Sequence, residues 1–453
     1  MKKIVLSLAG ALAATAFAPE ASAIPAFARQ TGMACNACHF QTYPALTGFG
    51  RAFKTGGYTM IGAQGKVEGE HGLSIPETLN ASVYAQFRYL KTNGTGFAAG
   101  GTKVSNEGRW DFPDEAALFV GGRVSENVGA LVELNLVAAG TSTNLGNFKM
   151  PFMFDAGSAK IGAIPFTSAG VGPAAGFELF ATGANAAGRI TENGMGYSAA
   201  EYLGTSNAAP ATGVALVAAG DQFHINVTPY TGVGPATQTA KLTGAATYVR
   251  AAWTPTYNNW DYGLGLQYFT GKPLKGLPAL VANQSEAKAT IIDAQAQGEV
   301  SGMPLGIYAS YGRAPSSTAG AVAGGVGYNN LNPTVNSRNS FGIMGDLWVM
   351  PGTLGLQLGF MRAKTGLANA TTGVLENDNS FTVGLRYKLR QNVKFGLAYT
   401  KFSGSAYDVG GSGGANTANY APIAAAGVAG APAGSLATGL GSSRFTAIMS
   451  AGF

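Results

Sequence analysis

Residues 79–90 read LNASVYAQFRYL, and their side chains alternate between apolar and polar. The apolar set consists of Leu79, Ala81, Val83, Ala85, Phe87 and Tyr89. The set between them consists of Asn80, Ser82, Tyr84, Gln86 and Arg88. Because successive side chains of a strand point to opposite faces, this stretch predicts a β-strand with one apolar and one polar surface.

The same alternation recurs to the end of the chain, for example in VGALVELNLVA from Val128, VKFGLAYTKF from Val393 and the terminal RFTAIMSAGF. The connections between these stretches alternate between short ones at 126–127, 255–259, 350–352 and 390–392 and long ones at 91–114, 314–338 and 404–441. Short periplasmic turns and long outer loops are typical of transmembrane barrels. The sequence therefore predicts an all-β protein, a transmembrane antiparallel β-barrel of about 16 strands (16–18), least regular at 157–220.

Composition and the amino-terminal residues agree with an exported membrane protein. Lys2 and Lys3 precede an apolar run and an Ala21-Ser22-Ala23 cleavage site, which predicts a signal peptide over 1–23. Charged residues make up 11% of the chain, against about 25% in soluble domains. The net charge of +6 is spread too thinly for a nucleic-acid surface. We expect an outer-membrane location, in contact with lipid, with the barrel over 78–453.

Residues 24–77 do not alternate, and they contain the stretch MACNACHFQTYP at 33–44. A Cys-x-x-Cys-His motif predicts one covalently bound haem c, with thioethers to Cys35 and Cys38 and with His39 as the proximal iron ligand. A structural zinc site needs four ligands, and only His71 and His224 remain to complete one. A disulfide would explain the cysteines but not His39. We expect this short, partly helical haem segment to dock on or inside the barrel, since so few residues bury little surface alone.

Other residues of the segment are candidates for holding the haem. Arg29, Arg51 and Lys54 are possible partners of the haem propionates. Met60 is the candidate distal iron ligand, and His71 is the alternative. Met33 stands too close to the attachment motif for us to expect it on the opposite face of the ring. Gly48 and Gly50 would let the backbone approach the haem.

Residues 23–60 resemble the amino terminus of the fused monohaem cytochrome-porins, the outer-membrane iron oxidases of iron-oxidising bacteria. The matching positions are Pro25, Phe27, Ala28, Arg29, Gln30, Thr31, Cys35, Cys38, His39, Pro44, Leu46, Gly50, Arg51, Phe53, Lys54, Gly57 and Tyr58. Thr47 departs from the pattern, where Asn is expected. The resemblance implies a haem in a porin-like barrel that passes electrons from extracellular Fe(II) to a periplasmic c-type cytochrome or similar carrier.

Three functions follow from these observations. The first is electron transfer from Fe(II) or from another extracellular donor, with Fe(II) oxidase activity as the enzymatic form. The second is a diffusion porin with a haem-bearing plug. The third, a haem enzyme acting on a small molecule, would need an open iron position and a distal acid or base, and the segment offers neither.

Overall fold

The computed structural model describes residues 26–62, 64–93, 108–136, 145–183, 197–205, 210–235, 246–273, 284–323, 325–368, 372–407 and 442–453. The predicted signal peptide at 1–23 and most of the long connections at 91–114 and 404–441 lie outside these ranges. No helix among the described residues is long and apolar enough to cross a membrane.

The amino-terminal segment holds three short helices and a hairpin. The helices are α1 (Ala26–Thr31), α2 (Cys35–Cys38) and α3 (Gly48–Thr55). The hairpin pairs β1 (Lys66–Gly69) with β2 (Leu73–Pro76).

The remainder of the chain forms one closed antiparallel barrel. Its strand segments are β3 (Ala81–Thr92), β4 (Arg109–Ser125), β5 (Val128–Asn135), β6 (Leu145–Lys149), β7 (Phe152–Ala156), β8 (Ala159–Ser168), β9 (Ala211–Gly220), β10 (Phe223–Thr231), β11 (Ala246–Trp253), β12 (Thr256–Tyr257), β13 (Trp260–Thr270), β14 (Ala289–Val300), β15 (Met303–Ala314), β16 (Arg338–Met350), β17 (Leu354–Ala368), β18 (Leu375–Arg390), β19 (Val393–Ser403) and β20 (Ser443–Gly452). The last strand closes the barrel on β3, with Ala447 opposite Tyr89.

These eighteen segments of the described chain make sixteen strands, because two strands are interrupted. β6 and β7 both lie between β5 and β8, and β11 and β12 both pair with β13. Pro151 stands in the first interruption and Pro255 in the second. Proline has no N–H group to donate to a strand ladder, so it breaks the pairing locally. The predicted barrel of about 16 strands is confirmed.

The two surfaces of the barrel follow the alternation of the sequence. On β3, Gln86 and Arg88 are buried in the lumen. Large apolar side chains on the outer surface are exposed, among them Ile292 at 57% and Leu358 at 56%. An apolar outer band around a polar interior is the arrangement that barrels of bacterial outer membranes use.

The connection between β8 and β9 folds into the lumen. Its described residues, 169–183 and 197–205, include a helical turn, α4 (Ala199–Tyr202), and Phe177 and Leu203 are almost fully buried. The Ala199 N–H donates to Ser310 Oγ on β15 at 2.7 Å, and Arg338 on β16 donates to the Tyr202 carbonyl at 2.7 Å. This inward segment accounts for the weak alternation of the sequence between 157 and 220, because its described residues pack inside the barrel, whereas β8 and β9 belong to the wall.

The amino-terminal segment sits in the mouth of the barrel at the end with the short turns. The Gly352 N–H, in the turn between β16 and β17, donates to Gln41 Oε1 at 2.8 Å. The Cys35 N–H donates to Oε1 of Gln391, between β18 and β19, at 2.9 Å. Lys394 Nζ donates to the Tyr43 carbonyl at 3.1 Å. These contacts tie one side of the segment to neighbouring turns of the wall.

Candidate functional site

Cys35, Cys38 and His39 border one cavity of about 520 Å³ between the amino-terminal segment and the barrel wall. The segment contributes mainly apolar groups, including Phe27 and Pro44. The wall contributes residues of β3, β4 and β5, together with Asn392 and Gly452. A volume of this size lies within the usual range of small-molecule and cofactor pockets.

The spacing of the motif places both thiols on the same cavity. Cys35 and Cys38 are the ends of the single turn α2, and residues three apart in a helix lie on one side of it. Both thiols are free and partly exposed, so no disulfide joins them. Burial raises the pKa of each thiol.

His39 follows α2 directly, and its ring is oriented by the backbone. Nδ1 lies 3.3 Å from the carbonyl oxygen of Ala45. A carbonyl can only accept, so Nδ1 carries the proton and Nε2 keeps the lone pair that a metal needs. Burial lowers the pKa of His39 to about 4, so the ring is neutral at pH 7. This is the tautomer and charge state of a haem-ligating histidine.

Helix α3 packs directly on the motif through Gly50. A β-carbon at Gly50 would lie 2.1 Å from the Cys38 carbonyl oxygen, so no larger residue fits there. Thr47 caps the helix, because its hydroxyl accepts from the Gly50 N–H at 3.1 Å and donates to the Ala37 carbonyl at 2.8 Å. Gly50 thus allows close approach of α3 to the attachment turn, a use that we did not predict.

The three predicted propionate partners contact the barrel. Arg29 donates to the Ala81 carbonyl at the start of β3. Arg51 forms a two-bond ion pair with Asp261 on β13, with distances of 2.6 and 2.8 Å. Lys54 donates to the Glu178 carbonyl at 2.6 Å, and burial lowers its pKa to about 8. None of the three borders the cavity, and their role toward a propionate stays a prediction.

The two predicted distal ligands lie elsewhere. Met60 borders a separate depression together with Phe49 and Lys66. His71 is exposed in the turn of the β1–β2 hairpin, at φ 58°. Met33, which we set aside in the sequence, is the methionine that borders the cavity. The assignment of Met60 or His71 to iron stays a prediction.

No group of three or more His, Cys, Asp or Glu residues in the described part of the chain could hold a metal ion by itself. The free thiols, the oriented imidazole and the largely apolar cavity fit a covalently attached haem.

No protein-family model and no curated protein matches the chain. Among solved structures it is similar to an outer-membrane protein of Vibrio cholerae, the loop L8 deletion mutant of OmpT, at 10% identity over 83% of this chain and 99% of that one, with a TM-score of 0.46. It is also similar to the outer membrane channel DcaP of Acinetobacter baumannii, at 12% identity, 85% and 99% coverage and a TM-score of 0.45. A third is OprD of Pseudomonas aeruginosa, at 12% identity, 86% and 97% coverage and a TM-score of 0.41. Similarity this low bears on no question of function.

Proposed function

We propose that the protein is an outer-membrane electron-transfer protein that accepts single electrons from extracellular Fe(II) and passes them to a periplasmic c-type cytochrome or similar carrier. One observation carries the proposal: the two thiols and the oriented imidazole of a haem-attachment motif face a single cavity inside the mouth of a membrane-type barrel. Short turns mark the periplasmic end of such barrels, which supports a periplasmic position for the proposed haem site.

Different residues of the chain would bind different parts of the cofactor. Cys35 and Cys38 would form the thioether bonds, and His39 would bind the iron through Nε2. When bound, a c-type haem supplies reversible one-electron exchange at its iron. The chain keeps His39 neutral and oriented, and the segment and the wall line the cavity with mainly apolar groups.

Fe(II) as the donor rests on the resemblance of residues 23–60 to the cytochrome-porin iron oxidases. A conduit for a different extracellular donor or acceptor would use the same site. The two proposals differ in which reagent reduces the haem, and that difference can be measured directly.

The test is stopped-flow spectroscopy of the oxidised, haem-loaded protein mixed with Fe(II). We expect the haem bands to change to those of the reduced form, and we expect Cys35→Ala and His39→Ala proteins with assembled barrels to show no such change. Glu70→Ala, at an exposed position of the β1–β2 hairpin, is the matched control and should be reduced as the wild type is. Reduction by dithionite but not by Fe(II) would replace Fe(II) with another donor.

A diffusion porin with a haem-bearing plug is the second candidate. The observation that favours it is the closed barrel with a polar inner face, which is the form of a solute channel. Against it stand the amino-terminal segment in the mouth and the inward segment between β8 and β9, both packed inside the barrel.

A further inference from the structure

We propose that the inner wall of the barrel forms the second face of the haem pocket, through Phe119 on β4 and Leu131 on β5. The proposal rests on the haem-binding function proposed above. It assigns cofactor contacts to residues far from the attachment motif in sequence. The sequence of that part of the chain predicts only barrel strands.

The first argument is that both residues break the pattern of the lumen. Directly opposed residues of antiparallel strands share a face. Phe119 stands between Ser82 and Glu133, and Leu131 stands between Gly121 and Lys149. Phe119 and Leu131 are therefore large apolar side chains that face the lumen, each with a small or a polar residue directly opposite it on both neighbouring strands.

The second argument is that both side chains stay partly exposed beside the cavity. Other large apolar residues that face the lumen, such as Phe166 and Met361, are buried in the cluster that contains the inward segment, at 3% and 0% exposure. Phe119 and Leu131 are only partly buried, and both border the cavity of Cys35, Cys38 and His39. An apolar wall that opens onto this cavity fits a flat, largely apolar ring.

The same cavity also receives Glu115, four residues before Phe119 on β4. The apolar shell of a metal site controls solvent access and local dielectric, and these set the reduction potential. Oxidised haem iron carries one more positive charge than reduced iron. A carboxylate near the ring therefore favours the oxidised form and lowers the potential, whereas an apolar wall that excludes water raises it.

Changes of Phe119 and of Glu115 should thus shift the potential in opposite directions. We expect Phe119→Ala to lower the midpoint potential of the haem, because water enters beside the ring. We expect Glu115→Gln to raise it, because a negative charge is removed at nearly constant volume. Phe402→Ala is the matched control, since Phe402 faces the lumen against Arg444 and does not border the cavity; its potential should equal that of the wild type.

The measurement is a spectroelectrochemical titration of the full-length, haem-loaded protein in detergent. Assembly of each variant is checked by its shift in migration on boiling, and Leu131→Val replaces Phe119→Ala if the latter does not assemble. A potential that is unchanged in the assembled Phe119→Ala or Leu131→Val protein would overturn the proposal. Shifted potentials in the variants, together with no reduction of the wild type by Fe(II), would support the wall contacts to the haem and rule out Fe(II) as the donor. A wild-type protein without covalent haem would overturn both the wall contacts and the proposed function.

Discussion

At the scale of the residue, the attachment motif needed only sequence to be recognised, but its orientation did not follow from sequence. The order Cys-x-x-Cys-His predicts the chemistry of Cys35, Cys38 and His39. The hydrogen bond from His39 to Ala45 depends on the loop that follows, whose local geometry no short pattern specifies. Similarly, Thr47 departs from the Asn of the family pattern, yet its hydroxyl caps α3 as an Asn side chain would.

The basic residues show the opposite case, in which sequence predicted a residue class and the structure gave it other partners. Arg51 and Lys54 lie in helix α3 of the amino-terminal segment, and their partners in the rest of the chain are 210 and 124 positions away. Pairings at that separation are fixed by the closure of the barrel. No pattern in a single sequence indicates that Arg51 pairs with Asp261.

The pair of Arg51 and Asp261 predicts how firmly the segment is held. Their side chains are 9% and 20% exposed, so Asp261→Asn leaves a largely buried guanidinium without its counter-charge. We expect the docked state of the segment to lose about 2–4 kcal/mol, slightly less than for a fully buried pair. The measurement is the rate at which a protease cleaves the segment in the assembled barrel, which should rise at least tenfold.

Asp155→Asn is the control for this change. The ion pair of Asp155 with Lys160 lies on the surface, with side chains 77% and 34% exposed, and such pairs contribute little. Its protease sensitivity should match that of the wild type. Equal sensitivity of the Asp155 and Asp261 variants would mean that the ion pair to Asp261 does not hold the segment.

At the scale of the element, the contact of α3 with the attachment turn predicts a strict requirement at Gly50. In a helix, Gly→Ala is ordinarily favourable by about 1 kcal/mol. At Gly50 the new β-carbon would lie 2.1 Å from the Cys38 carbonyl oxygen, so α3 must move away from α2. We expect Gly50→Ala to cost about 1–3 kcal/mol and to lower the yield of covalent haem, measured as pyridine haemochrome per barrel.

Gly56→Ala tests whether the loss comes from the clash. Gly56 follows the same helix, and there the nearest atoms would lie 3.4 Å from a β-carbon, at ordinary contact distance. Its haem yield should equal that of the wild type. A Gly50→Ala protein with full haem content would show that α3 can separate from the attachment turn without consequence.

At the scale of the whole molecule, the barrel was predictable because its two rules are local. Alternation fixes which side chains face out, and turn length fixes which end is which. What lies inside was not predictable by those rules. The inward segment between β8 and β9 has no periodicity, and its fit depends on wall residues from many strands, such as Ser310 and Arg338.

The filling of the lumen predicts that the protein conducts poorly. Arg250 on β11 is fully buried and joins the wall to the inward segment, because it pairs with Glu178 in that segment and with Asp293 on β14. With this segment and the amino-terminal segment both in place, the wild-type protein in a planar lipid bilayer should show far lower conductance than an open 16-stranded porin. Arg250→Ala leaves two carboxylates together inside the barrel at a cost of about 3–5 kcal/mol, which should loosen the inward segment and raise the conductance.

Lys288→Ala is the control, because it removes only a partly exposed ion pair with Glu286 and should leave the conductance unchanged. Wild-type conductance as high as that of an open porin would favour the solute channel over the electron-transfer protein, since the lumen contents would then be no barrier.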